Sequence, residues 1–221
     1  MNEKGAAVLF DLDGTLVDSA PDLAGAGNEM RVARNLAPLP YEAFRPMVGS
    51  GARGMVAIAL QTAPGDPDYD AMRIEFLDRY EARMTRETRL FPEVPPLLHT
   101  LAQAGVRCGI VTNKAARFAE PLVERLGLGR YALELVCGDT TPHAKPHPAP
   151  LLEAARRLGA EPRVCRYVGD DLRDVQAGRA AGMGTVIAAW GYLGNGDAIE
   201  SWGADHIIRS PLELLNLPQL A

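Results

Sequence analysis

What is scarce in this chain narrows its class first. Of 221 residues only three are cysteine, Cys108, Cys137 and Cys165, each in or beside an apolar strand-like run. An odd, widely spaced set builds neither a disulfide framework nor a zinc site. The three are therefore expected as reduced thiols in a core, the usual habit of free cysteine. His143 and His147 have the i, i+4 spacing of helical metal ligands, but Pro142, Pro146 and Pro148 forbid the helix that would align them. There is no surplus of positive charge: 23 Lys and Arg against 28 Asp and Glu leave a formal charge of -5. That balance argues against nucleic acid or a membrane surface as the main partner. No apolar run is long enough to span a bilayer, and the opening Met1-Asn2-Glu3-Lys4-Gly5 lacks a signal-peptide pattern. A cytoplasmic protein is expected, working as a monomer or homodimer. Internal repeats and low-complexity tracts are absent.

What is present begins with Val8-Leu9-Phe10-Asp11-Leu12-Asp13-Gly14-Thr15. A short apolar run closed by a turn signal suits a buried parallel strand. Asp11 and Asp13 then stand at its carboxyl end, where open α/β sheets bind their ligands. Read alone, the Asp-Gly pair is equally an ordinary turn with solvated acids. Further strands are predicted at 106–111, 134–137, 164–168, 184–188 and 205–208, alternating with helices at 95–104, 117–126, 148–158 and 174–181 and a terminal helix from Pro211. That alternation implies right-handed crossovers and a parallel sheet with helices on both faces. Helical patterns at 21–36, 42–47, 52–61 and 68–86 fill a segment too long for an ordinary crossover. It reads as a small helical domain inserted after the first strand, giving domains of 1–17 with 91–221 and of 18–90.

Three more strand ends carry unusual residues: Thr112-Asn113-Lys114, the loop Ala144-Lys145-Pro146, and Gly169-Asp170-Asp171-Leu172-Arg173-Asp174. A parallel sheet delivers all of them to the edge that holds Asp11 and Asp13. Five carboxylates gathered there repel one another unless a cation is present. Magnesium suits them, being a hard ion that takes a few carboxylates together with phosphate oxygens. Thr112 and Asn113, at a strand-to-helix junction, can receive an anion, although Thr112 alone also has a reading as a helix cap. Lys145 can neutralise a phosphoryl oxygen. Asp11 then faces phosphorus as a nucleophile, and Asp13 protonates the leaving alcohol and later deprotonates water.

In these four motifs, taken in order, the chain resembles the haloacid dehalogenase-like superfamily of phosphohydrolases over nearly its whole length. The resemblance implies a Rossmann-like core with a small helical cap, and phosphomonoester hydrolysis through an aspartyl phosphate with Mg2+. It implies Asp11 as nucleophile and Asp13 as general acid/base. Magnesium is expected on Asp11, the Asp13 backbone carbonyl and Asp170, with Asp174 favoured over Asp171 as the remaining acid, acting through water or by orienting Lys145. Leu12, Thr112, Asn113, Lys114 and Lys145 are the expected phosphate-binding positions. Asp13 argues against dehalogenation, because dehalogenases lack that second aspartate; a mutase or a non-catalytic binding protein stays open.

Within the superfamily, Val111–Lys114, Lys145–Leu152, Tyr167–Asp170 and Trp190-Gly191-Tyr192 resemble the phosphoglycolate phosphatase group, implying 2-phosphoglycolate as substrate. Gly169–Asp174, Arg117–Pro121 and Trp202–Asp205 look closer to a sister group that dephosphorylates N-acetylmuramic acid 6-phosphate. Both substrates carry a carboxylate, so a cationic cap residue is expected. Arg53, beside Gly51, is the first candidate and Arg45 the second; either also reads as a solvated helix charge. Trp190 and Tyr192 read equally as closing over substrate or packing against the cap. Hinges are expected near 17–19 and 91–92.

Overall fold

The computed structural model describes residues 6–131, 133–194 and 196–218; Met1–Gly5 lie outside them. Strand β1 (Ala7–Phe10) sits in the middle of a six-stranded parallel sheet. β4 (Arg107–Val111) and β5 (Glu134–Val136) lie on one side of it, and β6 (Arg166–Gly169), β7 (Gly184–Ala188) and β8 (His206–Ile208) on the other. β1 pairs with both neighbours, Leu9 opposite Gly109 and Phe10 opposite Val168. All four of its residues are buried because both faces are covered. Alternation divides them: Val8 and Phe10 pack with α5 (Val94–Gln103) and α6 (Ala116–Arg125), whereas Ala7 and Leu9 pack with α7 (Ala149–Leu158) and α8 (Leu172–Ala180). The chain runs outward from β1 through β4 to β5, then returns to the other side at β6. The order therefore reverses at β1, and the crevice beyond its carboxyl end is the expected ligand position.

Between β1 and β4 the chain leaves the sheet along a two-stranded antiparallel ribbon, β2 (Val17–Asp18) against β3 (Arg89–Leu90). The segments expected as hinges are this ribbon and its flanks. It carries α1 (Ala20–Val32), α2 (Tyr41–Phe44), α3 (Gly51–Leu60) and α4 (Tyr69–Arg83). These helices close their own apolar cluster around Met30, Phe44, Met55 and Phe76, joined from the sheet side by Phe118, Leu122 and Tyr192. Buried Asp22 on α1 ties the start of the insertion to its end, accepting the Thr88 N–H at 2.9 Å, the Thr88 hydroxyl at 2.8 Å and the Glu87 N–H at 3.0 Å.

Among the boundaries that differ from the sequence expectation, four stand out. The strand expected from 164 begins at Arg166, because Pro162–Val164 makes a 3-10 turn. The terminal helix from Pro211 is a 3-10 turn, Pro211–Asn216. Pro46, which has no N–H, ends α2 and passes the chain into a 3-10 turn over Arg45–Ser50. The first inserted helix stops at Val32, short of Asn35 at a φ of 56°.

Candidate active site

The carboxyl edge of β1, β4 and β6 brings Asp11, Lys145, Asp170 and Asp174 into one group. Lys145 is nearly fully buried. Its Nζ lies 2.8 Å from Asp11 Oδ1 and 2.8 Å from Asp174 Oδ1, and donates to Val111 O at 3.0 Å and to Tyr167 Oη at 2.7 Å. Burial alone would lower its pKa, but the flanking charges of Asp11 and Asp174 outweigh that and hold it protonated. The Asn113 side chain positions the lysine. Its Nδ2 donates to Lys145 O at 3.0 Å and its Oδ1 accepts the Lys145 N–H at 2.9 Å. Asn113, expected on phosphate, thus spends its side chain on the backbone of Lys145. Tyr167, which sequence reading did not single out, completes the cradle by bridging Val111 O and Asp174 Oδ1 at 2.9 and 3.1 Å.

The two acids of the loop after β6 divide their work. Asp171 caps α8, accepting the Arg173 N–H at 2.9 Å and pairing with its guanidinium at 2.7 Å. Burial would raise its pKa, but Arg173 prevails and lowers it. Asp174 instead turns its Oδ1 to Lys145 while Oδ2 accepts the Asp171 N–H at 3.0 Å. Asp170 is held by the Thr15 hydroxyl at 3.1 Å and the Tyr192 N–H at 2.8 Å. Two glycines make room: a Cβ on Gly14, whose φ is +89°, would lie 2.1 Å from Asp170 Oδ2, and one on Gly169 would lie 2.4 Å from Asp174 Cγ. Burial pushes Asp11 up to about 7, with Lys145 partly offsetting it and Asp174 adding to it. Burial, then Asp11 and Asp174, hold Asp170 well above the carboxylate range.

Asp13 stands apart from this group. Its Oδ1 accepts from the Ser19 hydroxyl at 2.5 Å and its Oδ2 pairs with Lys114 Nζ at 3.1 Å. Lys114 also donates to Tyr80 Oη, on α4, at 3.0 Å. Thr112 is buried, and its Oγ1 accepts the Lys114 N–H at 3.1 Å; the first N–H of α6 is received by Asp139, not by Thr112. Leu12 is wholly buried in the core between the two acids.

A cavity of about 600 Å³ opens over these residues, between sheet edge and inserted helices. Gly51 lines it and Arg53 does not: Arg53 lies exposed on α3. Arg45 is fixed elsewhere, donating to Trp190 O at 3.1 Å and Gly191 O at 2.7 Å. Both cap candidates from the sequence are thus displaced, because helix phase sets which residues face the cavity. The arginines that do line it are Arg73 on α4, Arg117 on α6 and Arg173. Trp190 and Tyr192 pack rather than close over the cavity. Trp190 donates to Thr15 O at 3.0 Å, and Tyr192 Oη receives the Ser19 and Ala20 N–H groups at 2.8 and 3.0 Å.

Residues 6–182 match the family model described as haloacid dehalogenase-like hydrolase. The chain belongs to the haloacid dehalogenase-like hydrolases. It is 43% identical over 211 residues to an N-acetylmuramic acid 6-phosphate phosphatase of Pseudomonas aeruginosa, covering 96% of this chain and 93% of that one. It is 46% identical over 209 residues to a phosphoglycolate phosphatase of Xanthomonas campestris pv. campestris, covering 94% of each. The crystal structure of a predicted phosphoglycolate phosphatase from Haemophilus somnus superposes with a TM-score of 0.85 at 27% identity, over 98% of this chain and 99% of the other. The chain is a phosphatase of this family, whose members generally use a divalent metal.

The residues present suit such an ion. Among the described residues, Asp11, Asp170 and Asp174 place carboxylate oxygens within 4.8 Å of one another. Three acids face one ammonium there, an imbalance that a dication removes. Asp11 Oδ1 is buried and, although paired with Lys145, makes no well-directed hydrogen bond. All donors are hard oxygens, and no thiol or imidazole joins them. Asp11, Asp170 and Asp174 are therefore the residues that could hold a divalent ion. The Asp13 carboxylate lies outside this group.

Proposed function

We propose that the chain is a magnesium-dependent phosphomonoesterase acting on a small carboxylated phosphomonoester. The observation that carries the reading is Asp11 beside a buried, charged Lys145 and two further acids at the sheet's switch point. An oxygen of Asp11 attacks phosphorus. The bond from phosphorus to the ester oxygen breaks, its electron pair stays on that oxygen, and Asp13 supplies the proton. Water then attacks the aspartyl phosphate, Asp13 takes its proton, and Asp11 is released with inorganic phosphate. Magnesium, when bound, neutralises phosphoryl oxygens that would otherwise repel Asp11. Lys145 supplies the fixed positive charge, and the Thr112 hydroxyl, which donates to no other group among the described residues, donates to the transferring group.

Two carboxylated phosphomonoesters are candidates for the substrate. 2-Phosphoglycolate is supported by the relatives of that name, and N-acetylmuramic acid 6-phosphate by the Pseudomonas relative. Cavity size favours the second, since about 600 Å³ is a volume suited to a drug-sized ligand rather than to a two-carbon acid. In either case the substrate carboxylate is assigned to Arg73 and Arg117. Arg173 is occupied by Asp171, and the heads of Lys114 and Lys145 are occupied by aspartates. Arg73 has no ion pair or hydrogen bond among the described residues, and Arg117 only stacks on Phe118, 4.3 Å from the ring centroid. A cytoplasmic location belongs to the same reading, because the three buried free cysteines suit a reducing compartment. The test is phosphate release from p-nitrophenyl phosphate, 2-phosphoglycolate and N-acetylmuramic acid 6-phosphate, with and without EDTA. Release that EDTA does not suppress, or none from any of the three, overturns the proposal.

A further inference from the structure

Lys114 follows the Thr-Asn motif and was expected on phosphate, yet its ammonium makes two other contacts: Asp13 Oδ2 at 3.1 Å and Tyr80 Oη at 3.0 Å. It also lies 4.8 Å from the centroid of the Tyr80 ring. Tyr80 belongs to α4, the last inserted helix, and is 2% exposed. Its ring is fixed from both elements, stacked with Phe76 of α4 at 6.4 Å and tilted on Phe118 of α6 at 5.6 Å. The other oxygen of Asp13 is taken by Ser19, which immediately precedes the first inserted helix. Asp13 is thus gripped on one side by the start of the insertion. On the other side it meets a core lysine whose free end is set by the last inserted helix.

We infer that Lys114 and Tyr80 are a positioning pair for Asp13: the insertion, through the Tyr80 hydroxyl, fixes the lysine that fixes the acid. A general acid acts only within hydrogen-bond reach of the oxygen it protonates, and a displacement of 1 Å costs about 100-fold. When the inserted helices shift away from the sheet, the Tyr80 contact is lost and Asp13 loses its aim, so that proton delivery depends on a seated cap. The inference rests on the role proposed above for Asp13.

The test uses the leaving group. kcat/KM reports the steps through phosphoryl transfer to Asp11, when the alcohol departs. p-Nitrophenolate leaves without a proton, whereas the alkoxide of 2-phosphoglycolate or N-acetylmuramic acid 6-phosphate needs one. Tyr80→Phe keeps the ring and its stacking and removes only the hydroxyl. In this variant the ratio of kcat/KM for the alkyl phosphate to that for p-nitrophenyl phosphate falls about tenfold, a part of the roughly 100- to 10,000-fold that general acid catalysis contributes. Lys114→Met lowers the ratio at least as far, and the double variant lowers it no further than Lys114→Met alone, since the two act as one unit. An unchanged ratio in folded Tyr80→Phe, or additive losses in the double variant, overturns the pair. If Tyr80→Phe does not fold, an unchanged ratio in Lys114→Met does so. Absence of turnover in the wild-type enzyme would instead sink the proposed function, so the two failures are distinguishable.

Discussion

Lys145 Nζ and Asp174 Oδ1 stand 2.8 Å apart at the carboxyl edge of the sheet, both side chains only 3% exposed. Asp11 reaches the same ammonium from β1 at an equal distance. One buried cation therefore separates two acids that would otherwise meet unscreened. Lys145→Met removes it and leaves the acids without compensation, a change of about 3 to 5 kcal/mol in metal-free protein. Phosphatase activity falls at least about 100-fold, since the charge opposite the transferring group is gone. Adding Asp174→Asn to Lys145→Met restores part of the melting temperature and none of the activity. A double variant that melts no higher than the single one would show that the pair is not what the lysine stabilises.

Asp11→Asn separates function from stability. The nucleophile is lost, so release of phosphate drops to background. The fold does not weaken, because an acid raised to about 7 by burial is replaced by an amide that needs no counter-charge. In EDTA at neutral pH the variant melts no lower than the parent, as thermal denaturation followed by fluorescence will record. Turnover that survives in Asp11→Asn excludes the aspartyl-phosphate route.

The motif residues were legible in the sequence because their chemistry is local: apolar runs ended abruptly in acids, a hydroxyl or a lysine, and strand–helix alternation placed those ends on one edge. The inserted helices were legible as a helical segment too long for a crossover, whereas the strand order around β1 shows only in the pairing of the strands. What stayed hidden depends on rotation about helix axes and on long-range partners. Arg53 and Arg73 are equally plausible as charges on inserted helices, but only helix phase puts Arg73 on the cavity wall. Asn113 reads as a phosphate ligand, and the second task of its side chain, holding the Lys145 backbone 32 residues away, shows only in the fold. Tyr167 was given no role from the sequence, and only the register of β6 sets its hydroxyl against Lys145. Tyr192 carried two equal readings, and the choice lay in a contact 173 residues back along the chain.

That contact gives a stability prediction. Tyr192 Oη accepts the buried N–H groups of Ser19 and Ala20 and donates to Asp18 Oδ1 at 3.1 Å. Tyr192→Phe keeps the ring and orphans both donors at the entry to α1, at about 1 to 3 kcal/mol for each buried group left unpaired. A melting temperature lower by roughly 5 to 10 °C is expected for a chain of this size. A shift of less than about 1 °C would mean that water or another group takes over those N–H donors.

Substrate selection is tested at the cavity wall. Arg73→Met and Arg117→Met keep most of the side-chain volume and remove the charge. Each raises KM for the carboxylated substrate about tenfold, the order expected for a charge-assisted hydrogen bond lost from a partly open site. Their effect on p-nitrophenyl phosphate, which has no carboxylate, is smaller, so the specificity ratio falls. Arg53→Ala, outside the cavity, leaves both substrates as they were. Equal losses on the two substrates in the Arg73 and Arg117 variants would remove these residues from carboxylate recognition.

The acid cluster also makes the response to metal depend on pH, and the sign follows from the direction of the shifts. Asp11 is raised by burial from 3.8 to about 7, and Asp170 is raised well above the ordinary carboxylate range by burial and by the neighbouring acids. A carboxyl raised on folding binds its proton more tightly in the native state. The stabilisation this gives is fully present below about pH 3.8, the unfolded value, and is lost as pH rises through the folded one. Metal-free protein therefore loses stability between about pH 4 and pH 7, as the cluster is forced to ionise without a counter-charge. A divalent ion reverses this loss, because the ionised carboxylates are the form that binds it. The rise in melting temperature on adding excess magnesium is consequently small at pH 5 and several-fold larger at pH 8. Thermal denaturation with magnesium and with EDTA across that interval measures it. Equal increments at the two ends would mean that the ion is not held by the acids that burial keeps protonated, and the metal position assigned to Asp11 and Asp170 would fall.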